Sequence, residues 1–229
     1  MGPSSRAPPL LFRGEPPIFH PALAASSSSL ASLRPVLAGL VRTFSGVRPV
    51  PVEACPNGPA IYFANHSSHL DFATIWAALP AAQRMRTRPV AGRDYWEKTA
   101  LRRRVACDLF NAILIERQNV SVAANPLTAM LSALDTADSL IVFPEGTRSQ
   151  DGVVHAFKPG IFHLARSRPA VPLVPVYLQD LSRILPKGDI LPVPLIASLH
   201  VGAPLHWRDG EPKPDFLERA RAAVTSLAT

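Results

Sequence analysis

Short apolar runs that end in polar turns constrain this chain more than any other feature. Ile61-Tyr62-Phe63-Ala64, Ala112-Ile113-Leu114-Ile115 and residues 139–143 are four or five residues long, and each leads into a polar or charged turn. Runs of this length read as buried strands. Between them, apolar residues recur at helical spacing. Phe72, Ile75, Trp76 and Leu79 form one such set, and residues 122–137, with Pro126 marking a first turn, hold another. Strands alternating with helices imply an α/β fold: a mixed, largely parallel sheet flanked by helices. A chain of 229 residues suffices for one such core.

The remaining elements are weaker. Val50-Pro51-Val52-Glu53 suggests an edge strand, and Pro89-Val90-Ala91-Gly92 a strand end. Residues 95–110 suggest one helix, with Trp96, Ala100, Leu101, Val105 and Leu109 on its inner side. Residues 171–177 read as a strand whose prolines argue for an edge position or a bend. Residues 192–201 suggest a last strand, and 216–227 a C-terminal helix.

Residues 1–29 are rich in Pro, Ser and Ala and read as a disordered leader. In residues 30–48 the pattern turns amphipathic: Leu30, Leu33, Leu37, Leu40, Val41 and Phe44 recur at helical spacing, with Arg34, Arg42 and Arg48 nearby. Such a helix suits either an anionic membrane surface or the cover of a core. Residues 49–229 form the α/β domain. No stretch reaches the about 18–20 apolar residues of a membrane-spanning helix.

Composition narrows the partners. The formal net charge is +7, which favours anionic ones. Aromatic residues are not interleaved with the basic ones and no nucleic-acid motif is present, so a phospholipid surface or a phosphorylated substrate is favoured over nucleic acid. The two cysteines, Cys55 and Cys107, make no disulfide framework.

Chemistry concentrates in a few places. Asn65-His66-Ser67-Ser68-His69-Leu70-Asp71 lies at the expected turn from strand to helix. That turn lets Asp71 accept a hydrogen bond from one ring nitrogen of His66 and leaves the other as a base. The alternatives are plain surface polarity or a metal site using His66, His69 and Asp71. The metal reading lacks a second ligand cluster. Pro144-Glu145-Gly146-Thr147-Arg148-Ser149 crowds a carboxylate, a glycine, a hydroxyl and a guanidinium into one turn. Gly146 permits close backbone approach, Thr147 and Arg148 offer donors to phosphate, and Glu145 can accept from a substrate hydroxyl. Arg117 stands at the end of the second strand, and Lys158 precedes a helix start at Pro159-Gly160; both suit anions. Arg102-Arg103-Arg104 reads either as a solvated face or as a contact for headgroups, an acidic carrier or a nucleotide.

Taken in order, four segments resemble the sequence blocks of the glycerolipid acyltransferases, most closely the bacterial 1-acyl-sn-glycerol-3-phosphate acyltransferases. Asn65-His66 to Asp71 matches N-H-x4-D. Phe143-Pro144-Glu145-Gly146-Thr147-Arg148-Ser149 matches F-P-E-G-T-R-S. Val171 to Val176 matches the fourth block, with Leu173 where Ile or Val is usual. The second block is looser: Asn111 stands near the family's glycine, Leu114 replaces its phenylalanine, and Glu116-Arg117 is kept.

The resemblance implies that His66 is the general base and Asp71 its orienting partner. Glu145, Gly146 and Arg148 would hold the glycerol phosphate, with Thr147 in the same turn, and Arg117 and Lys158 would help neutralise the phosphate. An acyl chain would pass from acyl-CoA or acyl carrier protein to the sn-2 hydroxyl of lysophosphatidic acid. No metal or other cofactor is expected, since a thioester is already activated. Another lyso-lipid acceptor, such as a lyso-ornithine lipid, and a non-catalytic lipid-binding protein of the same fold stay open. The expected place is peripheral, on the cytoplasmic face of a bacterial inner membrane.

Overall fold

The computed structural model describes residues 32–116, 125–149, 151–179 and 197–228. Residues 1–29, Arg117 and the first half of the predicted last strand lie outside these ranges. Among the described residues, six strands form one sheet: β1 (Ile61–Ala64), β2 (Thr87–Gly92), β3 (Ile113–Ile115), β4 (Ser139–Val142), β5 (Leu173–Gln179) and β6 (Ser198–Val201). Their order is β3-β2-β4-β1-β5-β6. All neighbours are parallel except β5 and β6. The expected mixed, largely parallel α/β sheet is what forms.

Both faces of this sheet are covered, which is why β1 reads as an unbroken apolar run. Its side chains alternate between two cores. Tyr62 and Ala64 join Phe72, Trp76 and Phe110 on one face, and Ile61 and Phe63 join Met130, Ile161, Phe162 and Phe216 on the other. The first core holds α1 (Arg34–Ser45) and α2 (Asp71–Ala78); the second holds α6 (Pro126–Asp135), α7 (Gly160–Ser167) and α8 (Lys213–Thr225). Phe110 packs edge-on against both Phe72 and Trp76, with ring centroids 4.9 and 5.0 Å apart.

Several local expectations change. Val52–Ala54 is a single 3-10 turn, not an edge strand. The Cys55 N–H bonds back to the Val52 carbonyl and Pro51 has no N–H to offer a ladder, so the segment folds on itself. The helix expected over 95–110 is broken into α4 (Arg93–Trp96), α5 (Ala100–Arg104) and a π-turn, Val105–Leu109. Thr99 causes the break by capping α5, its hydroxyl accepting from the Arg102 N–H at 3.2 Å. A short helix, α3 (Ala81–Met85), follows α2.

Pro175 lies inside the sheet, not at an edge. It faces Phe63 in β1, and its carbonyl accepts from Gly202 just beyond the end of β6. Asn111, near the family's glycine position, has φ 53°, the left-handed region that asparagine tolerates better than most residues.

α1 is amphipathic in a way one stripe does not describe. Leu37, Ala38 and Val41 pack inward, while Leu33, Val36, Leu40 and Phe44 stand 48–61% exposed. Pro35 falls in its first turn and Gly46 closes it at φ 66°.

β2 changes partner along its length. Residues 87–89 pair with β4, and residues 90–92 pair with β3. Pro89 lies at the hand-over. Beyond it β2 and β4 no longer pair with each other, and a gap opens at their C-terminal ends.

Trp76 is the largest fully buried side chain, and it anchors α2 to the sheet. Trp76→Ala is expected to lower unfolding free energy by about 3–5 kcal/mol. Urea denaturation measures this as a lowered midpoint.

Candidate functional site

A cavity of about 870 Å³ fills the gap at the C-terminal ends of β2 and β4, a size that fits one small ligand. This is where open α/β sheets bind ligands, because strands there diverge and helix starts converge. Its wall includes His66, Gly146, Thr147, Arg148 and Lys158. Four of the residues expected to bind phosphate thus share one cavity with the histidine. Glu116 also lines it, while Arg117 lies outside the described residues.

The turn after β1 is built around Asp71. Its Oδ2 accepts from the backbone N–H groups of Ser67 and Ser68 at 2.6 and 2.8 Å, and lies 2.8 Å from His66 Nδ1. An oxygen already accepting two N–H bonds is an acceptor for the third contact, so Nδ1 carries the proton. His66 Nε2 is then left with its lone pair. Asp71 is fully buried and His66 partly exposed. The imidazole stacks on Phe143, with centroids 4.3 Å apart and planes 22° from parallel. Carboxylate and ring together fix its orientation.

Glu145 has a role the sequence did not reveal. It is buried, and both carboxylate oxygens face backbone donors: Oε1 accepts from the His66 N–H at 2.9 Å, Oε2 from the His155 N–H at 3.1 Å. Its carboxylate ties the β4 turn to the β1 turn, and Glu145 is not among the residues that line the cavity. Burial pushes its carboxyl up from the ordinary glutamate range, and the two N–H groups pull partly against that. The Ser149 N–H completes the tie, donating to the His66 carbonyl at 2.7 Å.

Gly146 is favoured by its backbone, and a side chain there would also displace the flexible end of Lys158. Its φ is +72°, and a Cβ there would lie 2.7 Å from Lys158 Nζ. The glycine gives the lysine its place beside the turn, and the Lys158 N–H bonds to the Pro144 carbonyl at 2.8 Å.

Asn65, left without a role in the sequence reading, acts as a strand extension. Its amide donates to the Leu178 carbonyl at 2.9 Å and accepts from the Leu178 N–H at 2.8 Å. An asparagine directly before the histidine was the available signal. His69 stacks on Tyr95 at 4.2 Å, and both line the cavity, as does His163 on α7. Among the described residues, no group of three or more His, Cys, Asp or Glu side chains is arranged to hold a metal ion.

The family model described as Acyltransferase matches residues 42–179. The human 1-acyl-sn-glycerol-3-phosphate acyltransferase alpha is 35% identical over 127 residues, which is 55% of this chain and 42% of the human protein. The 1-acyl-sn-glycerol-3-phosphate acyltransferase of Limnanthes douglasii is 30% identical over 171 residues, or 70% of this chain and 56% of the plant protein. The chain therefore spans about half the length of these relatives. A solved structure, the 1-acyl-sn-glycerophosphate (LPA) acyltransferase of Thermotoga maritima, superposes with a TM-score of 0.68 at 20% identity. The match covers 90% of this chain and 83% of that one, and it shows the same fold.

Glu145→Gln keeps one acceptor oxygen and turns an NH2 group toward the other backbone N–H. One buried donor is left unpaired, for an expected loss of about 1–3 kcal/mol. Urea denaturation reads the loss, and the His66 backbone amide resonance should shift with it.

Proposed function

The chain belongs to the acyltransferase family, and on that footing we propose that it acylates the sn-2 hydroxyl of lysophosphatidic acid to give phosphatidic acid, with acyl-CoA or acyl carrier protein as donor. The observation that carries this reading is the His66–Asp71 pair, whose histidine lines a cavity shared with Arg148 and Lys158.

In the proposed mechanism, His66 Nε2 takes the proton of the acceptor hydroxyl as its oxygen attacks the thioester carbonyl carbon. Asp71 holds the tautomer and offsets the charge of the imidazolium. The tetrahedral intermediate collapses with loss of the thiolate. The proton on Nε2 then goes to the departing sulfur, so the base is restored in one cycle. A thioester is activated enough that one base and close positioning suffice, without a covalent enzyme intermediate or a cofactor. Thr147, Arg148 and Lys158 would hold the acceptor's phosphate, with Arg117 assisting. Gly146 supplies the close approach of backbone to ligand. Glu145 serves by fixing the His66 peptide.

The membrane side of the proposal rests on α1. No described helix is long and apolar enough to cross a membrane. Leu33, Val36, Leu40 and Phe44 give α1 an uncovered apolar face, and Arg42 and Arg48 lie in or just beyond the helix. That combination suits peripheral attachment to an anionic leaflet, the inner face of a bacterial membrane under this reading.

The first test is thiol release from an acyl-CoA with and without lysophosphatidic acid. Wild type should release thiol only with acceptor, and His66→Ala should lower the rate by ~10²-fold or more. Release without acceptor would mean a thioesterase and sink the proposal. A second test targets attachment. Leu40→Asp with Phe44→Asp should weaken binding to anionic vesicles by about tenfold or more. Unchanged co-sedimentation would remove α1 from the membrane face.

A further inference from the structure

The α4–α5 segment carries charge that the proposed chemistry does not use. Between residues 93 and 108 the sequence places Arg93, Lys98, Arg102, Arg103 and Arg104 against Asp94, Glu97 and Asp108. The carboxylates do not quench the arginines. Glu97 lies 3.5 Å from Arg93 and 4.0 Å from Arg103, and Asp108 lies 3.7 Å from Arg104. Exposed pairs of that length are worth little. The Arg103 and Arg104 side chains are 60% and 70% exposed, and Leu101 beside them is 72% exposed.

This patch is fixed to the site. The Arg102 guanidinium lies 4.5 Å from the centre of the Tyr95 ring, and Tyr95 stacks on His69, three residues from His66. Tyr95 and Lys98 line the cavity, whereas Arg103 and Arg104 are not among its lining residues. An anion that meets these arginines therefore stays outside while another part of the same molecule reaches in. The acceptor's phosphate does not fit that description, since it must enter with the hydroxyl. A thioester donor does: its acyl group is delivered to His66 on a flexible arm while its large anionic body remains at the mouth.

We propose that α5 is the docking surface for an acidic acyl carrier protein, with Arg103 and Arg104 meeting its carboxylates and Leu101 its apolar contact. Coenzyme A has phosphates for the arginines but no apolar protein surface to cover Leu101. The inference rests on the acyl-transfer reading and names its donor.

The test compares two donors with one lysophosphatidic acid acceptor. Arg103→Glu combined with Arg104→Glu should raise KM for acylated carrier protein by about tenfold or more, with kcat held and KM for acyl-CoA nearly unchanged. Leu101→Ser should act in the same direction. The wild-type kcat/KM for the carrier should fall steeply with salt, and that of the double variant should not. Equal losses with both donors, or no loss with either, would overturn the proposal. So would a loss of binding to anionic vesicles, which would make α5 part of the membrane face. Binding of fluorescently labelled carrier protein, followed by anisotropy, gives a reading apart from turnover. If wild type transfers nothing from either donor yet binds carrier through Arg103 and Arg104, the reaction reading has failed and the docking surface stands.

Discussion

The peptide of His66 is held at both its N–H and its carbonyl by the turn that follows β4. Glu145 accepts from the N–H and Ser149 donates to the carbonyl, across about 80 residues of sequence. With the backbone held, the side chain has little freedom left, because Asp71 fixes one ring nitrogen and Phe143 covers one ring face. A base that must meet a hydroxyl within hydrogen-bond distance benefits from this rigidity. Pairing of both oxygens offsets the cost of burying the Glu145 carboxylate. Glu145 therefore bears on the position of the imidazole without turning toward the cavity itself.

The same logic explains how much could be read in advance. β1, the start of α2 and β4 were legible because a four-residue apolar run bounded by polar turns has few other uses in a buried parallel sheet. His66 and Asp71 were legible as a pair because a turn from strand to helix brings their positions together. The part Glu145 plays in holding the turns together was not legible because its partners are backbone N–H groups, one of them in a distant turn, and a sequence carries no mark of where a main-chain donor will lie. The helix expected over 95–110 failed for a local reason. Its apolar spacing is sound, but Thr99 makes a better cap than a helix interior residue, and the chain restarts there.

α1 shows a different limit. Periodicity gave one apolar stripe, and the fold divided it. Leu37 and Val41 belong to the core, whereas Leu33, Leu40 and Phe44 face outward with Val36. A helix apolar on two sides gives no sequence sign of which side the protein will cover. It does show that the helix has more apolar surface than the fold can bury. Neither the +7 net charge nor the arginines around this helix can be assigned by count alone; their meaning depends on which surface each one borders.

The exchange of partners along β2 has a consequence for how this protein can change. The cavity is not a hole left by small side chains in a packed interior. It opens where two strands stop pairing with each other after Pro89. The main chain of these strand ends bounds one side of that space, and side chains from the surrounding turns and helices bound the rest. Exchanges among those side chains can reshape the site for another acceptor or donor without disturbing the strand pairing beneath it.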